Sequence, residues 1–286
     1  VTPTKDDNPM NGVSTFDLVL MSKHILGIEP LNSPYKVIAA DVNKSNSVTT
    51  FDIVELRKLI LGIYDELPNN TSWRFVDADF QFTNPNNPFV NVPFAETKSI
   101  ANIQADQMHD DFVGIKIGDL NGSVIANANS VVEDRSAGNL LFDTEDRDVR
   151  AGETFEVRLT AADKVQGYQF TLQLEGLQLE EILPGEGMSI DNFGVFADAL
   201  TASVNSDADA FTLRLKALKS GKLSEMLGVS SRITRAEAYA LNNERLDVAL
   251  RFHSPSGITT SEVGFELYQN QPNPWVHQTQ IGFHLP

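Results

Sequence analysis

Asp41-Val42-Asn43-Lys44-Ser45-Asn46-Ser47-Val48-Thr49-Thr50-Phe51-Asp52 carries an oxygen-bearing side chain at its first, third, fifth, ninth and twelfth positions. A hard divalent cation of the calcium type takes about six to eight oxygen ligands, and a loop of about twelve residues supplies them from alternating side chains and one backbone carbonyl. Asp41, Asn43, Ser45 and Thr49 are the candidate side-chain ligands, Ser47 offers its carbonyl, and Asp52 closes the loop with a carboxylate one methylene shorter than Glu. Asn46 stands where glycine is usual, and Asn is the next best residue for a left-handed backbone. Val48, apolar between the seventh and ninth places, is expected to pack loop against loop.

A second copy begins 35 residues upstream. Aligning residues 12–28 with 47–63 gives identity at Val13/Val48, Thr15/Thr50, Phe16/Phe51, Asp17/Asp52 and Val19/Val54. The identities continue at Lys23/Lys58, Ile25/Ile60, Leu26/Leu61, Gly27/Gly62 and Ile28/Ile63. Self-similarity at a fixed offset is the mark of an internal duplication. In the first copy Asp6, Asn8, Ser14 and Asp17 hold ligand places, but Met10 occupies the fifth, where an oxygen is required. The first loop is therefore expected to be the weaker one. Each loop leads into a helix stopped by Gly27 or Gly62, and Ser33-Pro34 starts a short helix over Tyr35–Ala40 between the copies. The unit from Asp6 to about Ile63 resembles the type I dockerin module, two calcium loop–helix repeats joined by a linker helix. That resemblance implies calcium as cofactor and a cohesin domain as partner.

Helical spacing sorts the apolar residues of the two long helices. Leu18, Met21 and Ile25 share one stripe, as do Ile53, Leu56 and Ile60, and these are expected to form the core. Phe16, Val19 and Lys23 share the opposite stripe, repeated as Phe51, Val54 and Lys58. A two-helix unit cannot bury both stripes alone. The second stripe is either a partner-binding surface, as the resemblance implies, or is covered by residues 73–125 of the same chain.

The composition narrows the function classes. No cysteine occurs among 286 residues, which excludes a disulfide framework and thiolate metal sites. A formal charge of −17 argues against nucleic acid and anionic membrane surfaces as partners. No apolar run reaches membrane-spanning length, and the start lacks the order of a signal peptide. The opening Val1-Thr2-Pro3 reads as an internal or processed start.

Residues 1–66 are assigned to the duplicated module and 67–126 to an irregular or β extension packing on it, with short strands at Trp73–Val76 and Phe112–Ile117. Gly118-Asp119-Leu120-Asn121-Gly122 opens like another calcium loop, yet no carboxylate follows at the closing distance, so it is read as an Asn-Gly turn after a strand. Residues 127–138 are small and polar, a linker. From 139 to 253 the chain alternates, as in Phe155–Leu159, Tyr168–Leu174 and Phe211–Leu218, which predicts an all-β antiparallel sandwich with one face of each sheet wet. Val149–Phe155 followed by Val165–Leu172 resembles the opening strands of a cohesin-like jelly roll. Residues 260–286, with Leu267-Tyr268-Gln269-Asn270-Gln271-Pro272-Asn273-Pro274-Trp275, resemble the start of a type A sorting domain of the type IX secretion system, incomplete here. This implies export across a Bacteroidota-type outer membrane.

An enzyme is not expected. His24, His109, His253, His277 and His284 are scattered, without metal-ligand spacing or a nucleophile partner. The pairs Asp110-Asp111 and Glu180-Glu181, and the cluster Asp143–Asp146, read as solvated surface. Trp73 and Trp275 are single tryptophans rather than a sugar-stacking platform. The sequence therefore predicts a multidomain, non-catalytic region of a large secreted or cell-surface protein, calcium-stabilised, acting in adhesion or assembly through another protein domain or chain. The alternative is a carbohydrate-binding or docking accessory of a polysaccharide-degrading enzyme. An aromatic strip on the sandwich would favour sugar binding.

Overall fold

The computed structural model describes residues 1–90, 93–101, 106, 110–126, 136–264, 266–267, 281 and 283–284. The chain divides into two compact units, Val1–Val132 and Glu133–Pro286.

The first unit is built on α1 (Thr15–Ile25), α2 (Pro34–Ala40) and α3 (Thr50–Ile60). Both long helices begin with a capping box. The hydroxyl of Ser14 or Thr49 accepts from the first turn while the Asp17 or Asp52 carboxylate reaches back to the cap residue's own N–H. Both end in the same way, with Gly27 at φ 69° and Gly62 at φ 72°. The N–H of Ile28 then bonds the Lys23 carbonyl, and that of Ile63 the Lys58 carbonyl, each at 2.9 Å. These left-handed positions suit glycine and close the last turn. The identical residues of the duplication are thus largely those that start and stop a helix.

Leu18, Met21, Leu56 and Ile60 are fully buried and Ile53 nearly so, as the stripe predicts, while Ile25 is half-buried. Their core is completed from beyond the duplicated unit. β1 (Trp73–Asp77) pairs antiparallel with β2 (Phe112–Lys116), and Val76, Ile115, Ile117 and Leu120 join the helices in one apolar cluster. Gly118 turns at φ 86° directly against Leu56, and its N–H bonds the Ala39 carbonyl at 2.9 Å.

The second unit is all-β: β3 (Asn139–Glu145), β4 (Asp148–Val149), β5 (Thr154–Ala161), β6 (Gly167–Leu174), β7 (Leu177–Leu183), β8 (Phe193–Val195) and β9 (Ala199–Val204). It continues with β10 (Ala210–Ala217), β11 (Gly221–Lys222), β12 (Leu227–Ser230), β13 (Glu237–Tyr239), β14 (Arg245–Ser254), β15 (Gly257–Ser261), β16 (Glu266–Leu267) and β17 (Phe283–His284). The main ladder runs β7-β10-β5-β3-β14-β13-β6-β9-β8. Its pairs are antiparallel except β3 with β14, which run parallel. The ladder curls into a sandwich. Phe142 of β3 and Phe170 of β6 lie three strands apart in the ladder, about 14 Å if it were flat, yet their ring centroids are 5.2 Å apart. Tyr168 and Phe211 pack on the same aromatic centre.

Strand β5 alternates buried and exposed as expected and β10 alternates buried and half-buried, whereas β6 does not alternate. Gln169 and Thr171 were expected on a wet face and are buried, because the segment before β13 covers them. The Thr171 hydroxyl donates to the Thr234 carbonyl at 3.0 Å, and the Gln169 amide donates to the Arg235 carbonyl at 3.3 Å. Most of the 127–138 linker lies outside the described residues. So does the greater part of the 260–286 segment, including Tyr268–Trp275.

Candidate functional site

The Asp41–Asp52 loop folds around its two carboxylates. Asp41 Oδ1 accepts from Ser45 N at 2.8 Å and Asp41 Oδ2 from Asn46 N at 3.0 Å. Asp52 Oδ1 accepts from Asn43 N at 3.1 Å, and Asp52 Oδ2 from Thr49 N at 2.8 Å and Thr49 Oγ1 at 3.1 Å. Asn43 Oδ1 accepts from Ser45 N, and the Ser45 hydroxyl points at the Ser47 carbonyl, 3.2 Å away. Lys44 at φ 59° and Asn46 at φ 63° provide the left-handed turns. Every ligand proposed from the sequence in this loop is thereby gathered into one small hydrogen-bonded ring.

Among the described residues no cation bonds that ring, and the Arg74 charge acts on Asp41 only from a distance. Asp41 and Asp52 are completely buried, and among the described residues neither has a direct ion pair. Burial pushes the Asp41 carboxyl upward, the N–H bonds from Asn46 and Ser45 oppose this, the Asp52 charge adds to it, and the more distant Arg74 charge opposes it slightly. Two buried carboxylates surrounded by neutral oxygens are costly without a cation. The residues therefore fit calcium: Asp41, Asn43, Ser45, Thr49, Asp52 and the Ser47 carbonyl would hold it, and the ion would supply the positive charge on which the loop closes. Among the described residues no group of three or more His, Cys, Asp or Glu side chains is placed to hold a metal ion, so the loop's neutral oxygens must complete the ligand set.

The first copy is arranged differently from the sequence expectation. Ser14 and Asp17 meet as Thr49 and Asp52 do, with Asp17 Oδ2 accepting from Ser14 N at 2.9 Å and Ser14 Oγ at 3.1 Å. The other oxygen of Asp17 faces the distant 119–123 turn, accepting from Leu120 N at 2.7 Å and Asn121 N at 3.3 Å. Asp6 lies elsewhere, its Oδ1 accepting from Ser72 N at 2.7 Å. Asn8 takes a left-handed turn at φ 44°, and the Lys116 ammonium donates to the adjacent Pro9 carbonyl at 2.7 Å. Met10 packs against the apolar core. Burial raises Asp17 to about 7, against the Leu120 hydrogen bond and with help from the Asp119 charge. Burial lowers Lys116 to about 8, opposed by Asp119, Asp17, Asp6 and Asp7.

The two copies of the second stripe also differ. In α1, Val19 is buried, Phe16 half-buried, and Lys23 pairs with Glu29 at 3.6 Å. In α3, Phe51 is 72% exposed and Val54 half-buried, while Lys58 holds Glu55 at 3.1 Å and the Tyr64 hydroxyl at 3.2 Å. One of the two stripes is open to solvent at its N-terminal end.

Groups read as catalytic noise have structural partners. His24 Nδ1 accepts from Leu31 N, and His253 lies against Asp143. The 143–146 cluster is not simply solvated. Asp143 takes a bidentate pair from Arg251, and Asp146 is buried against Lys222 and Ser224. His109, His277 and Trp275 lie outside the described residues.

Residues 6–61 match the family model of the dockerin type I domain. No curated protein matches the chain. Among solved structures, a non-cellulosomal cohesin from the hyperthermophilic archaeon Archaeoglobus fulgidus is similar over 44% of this chain and 91% of its own, at 14% identity and a TM-score of 0.28. The sixth cohesin of the Acetivibrio cellulolyticus scaffoldin B, solved in complex with a dockerin, is similar over 44% of this chain and 99% of its own, at 8% identity and a TM-score of 0.29. The reeler domain of human F-spondin covers 47% of this chain and 99% of its own, at 13% identity and a TM-score of 0.24.

Proposed function

We propose that this chain is a non-catalytic, calcium-stabilised assembly region, in which the duplicated helical unit docks a cohesin-type domain. The carrying observation is the ring around Asp41 and Asp52, two wholly buried carboxylates with no direct ion pair among the described residues, inside the segment that matches the dockerin type I model. Closing carboxylates that also cap α1 and α3 couple metal binding to helix formation, so calcium governs whether the docking face exists.

The face is the second copy. Phe51 is the exposed aromatic at the start of α3, with Val54 and Lys58 along the same side, and Val19 of the first copy is buried. A large apolar side chain held open on a rigid helix is the kind of anchor that binding energy concentrates on. No helix among the described residues is long and apolar enough to cross a membrane. Extracellular or cell-surface placement belongs to the same proposal, supported by the dockerin match and by the Tyr268–Trp275 motif read from the sequence.

Binding of the full chain to an immobilised type I cohesin tests the reading, with calcium and with chelator. Binding is expected in calcium alone and is expected to be lost in the Phe51→Ser/Val54→Ser variant with its calcium-dependent helicity intact. Equal binding in chelator, or loss of helicity instead of binding, overturns it.

A further inference from the structure

The stretch Asp119–Val124 and the stretch Gly12–Asp17 together repeat, at the first, third, fifth, seventh, ninth and twelfth places, the main hydrogen bonds of the Asp41–Asp52 loop. At the first place, Asp119 Oδ1 accepts from Ser123 N at 3.1 Å and Asp119 Oδ2 from Val124 N at 3.0 Å, as Asp41 does from Ser45 and Asn46. At the third, Asn121 Oδ1 accepts from Ser123 N at 2.9 Å, as Asn43 does from Ser45. The left-handed fourth place is Gly122 at φ 78°, matching Lys44. At the fifth, the Ser123 hydroxyl donates to the Gly12 carbonyl at 3.0 Å, as Ser45 does to that of Ser47. Asn121 N reaches Asp17 as Asn43 N reaches Asp52, and Ser14 stands for Thr49.

The two stretches meet where the continuous loop has a peptide bond. A side chain on Gly12 would bring its Cβ within 2.7 Å of the Val124 backbone, so only glycine allows the approach. Asn11 clasps the next residue in both directions, its amide donating to the Ile125 carbonyl at 2.8 Å and accepting from Ile125 N at 3.0 Å. Asp17 is wholly buried and Asp119 nearly so. Neither has a direct ion pair among the described residues, and the buried Lys116 ammonium gives its bonds to the Pro9 and Ile117 carbonyls instead. The Lys116 charge acts on both carboxylates from a distance, but no cation among the described residues is bonded to either of these two buried acids.

We propose that the first calcium site of this unit is split. Asp119, Asn121 and Ser123 supply its first, third and fifth ligands, and the Gly12 carbonyl, Ser14 and Asp17 the seventh, ninth and twelfth. This rests on the calcium reading above and changes its ligands. Ser123 provides the oxygen that Met10 lacks, and Asp17 is the closing carboxylate that the 118–122 turn lacks in its own neighbourhood. The sixth place departs from the second loop, Val124 replacing Asn46. Asp6 and Asn8 are outside the site, and the ion joins segments more than a hundred residues apart in sequence.

Isothermal titration of calcium into the chelator-treated full chain reads the number of sites directly. The wild type is expected to take two ions, Asp6→Ala two, Asp52→Ala one and Asp119→Ala one. Asp119→Asn keeps an acceptor for the turn and removes the charge, and it too is expected to lose one high-affinity site with its circular dichroism unchanged. Two ions retained by Asp119→Asn and Ser123→Ala, or one lost by Asp6→Ala, overturns the split site. A wild type that takes a single ion, abolished by Asp52→Ala, overturns it while leaving the calcium reading standing. A wild type that takes none overturns both.

Discussion

Replacing Asp17 by alanine removes a side chain of α1 that hydrogen-bonds the 119–123 turn. Its carboxylate accepts from Ser14 N and Oγ and from Leu120 N and Asn121 N, at 2.7 to 3.3 Å. Each buried donor left without an acceptor costs about 1–3 kcal/mol, and loss of the helix cap about 1 kcal/mol more. With Leu120 fully buried, the expected loss is about 4 kcal/mol before any metal is considered. Asp6→Ala, which frees only Ser72 N, is expected to cost about 1 kcal/mol. Hydrogen exchange of the full chain separates the two. Exchange at the Leu120 and Asn121 amides should accelerate about a thousandfold in Asp17→Ala and about tenfold or less in Asp6→Ala. Equal effects of the two substitutions, or unchanged Leu120 exchange in Asp17→Ala, would refute the tether.

Ile117→Ala should destabilise the first unit by about 2–4 kcal/mol in denaturant unfolding, since Ile117 is a fully buried member of the helical core. Gly118→Ala should cost more than about 2 kcal/mol, because the new Cβ would lie 2.6 Å from Leu56 at a left-handed backbone position, and a normal stability would contradict that packing. In the second unit Arg251 holds Asp143 down to about 2, below its ordinary 3.8. A depressed carboxyl stabilises the fold above the higher value and ceases to as pH falls through the lower one. Acid unfolding of the sandwich should therefore steepen between about pH 4 and 2, by about 1 kcal/mol after allowance for solvent screening, and Arg251→Met should flatten that slope.

The helices of the first unit were legible because their signals are local. Glycine stops and the core stripe sit within a few residues of what they control, so Gly27, Leu56 and their repeats could be read directly, whereas Ser14 and Thr49, read as ligands, also proved to be helix caps. The Asp41–Asp52 ring was legible for the same reason. The surroundings of Asp17 were not, because the donors it meets are at Leu120 and Asn121, and no spacing rule links a carboxylate to a turn a hundred residues away. Two anomalies pointed there, Met10 in a ligand place and an opening Asp119-Leu120-Asn121-Gly122 without a closing acid, but neither names the other. The alternation of β6 likewise suggested a wet face. Only the return of the chain past Thr234 and Arg235 shows why Gln169 and Thr171 are buried polar residues with partners rather than surface.

Hydrogen exchange of the full chain, compared between millimolar calcium and excess chelator, is the most direct test that calcium holds the first unit together. At a dissociation constant of about 10⁻⁴ M, saturating calcium adds about 1.4 kcal/mol per site, roughly tenfold in protection for each. Protection is expected to fall in α1, α3 and residues 112–123 when calcium is removed, and to stay the same in β5 and β10 of the sandwich. Unchanged protection of α1 and α3 in chelator would contradict that role of calcium.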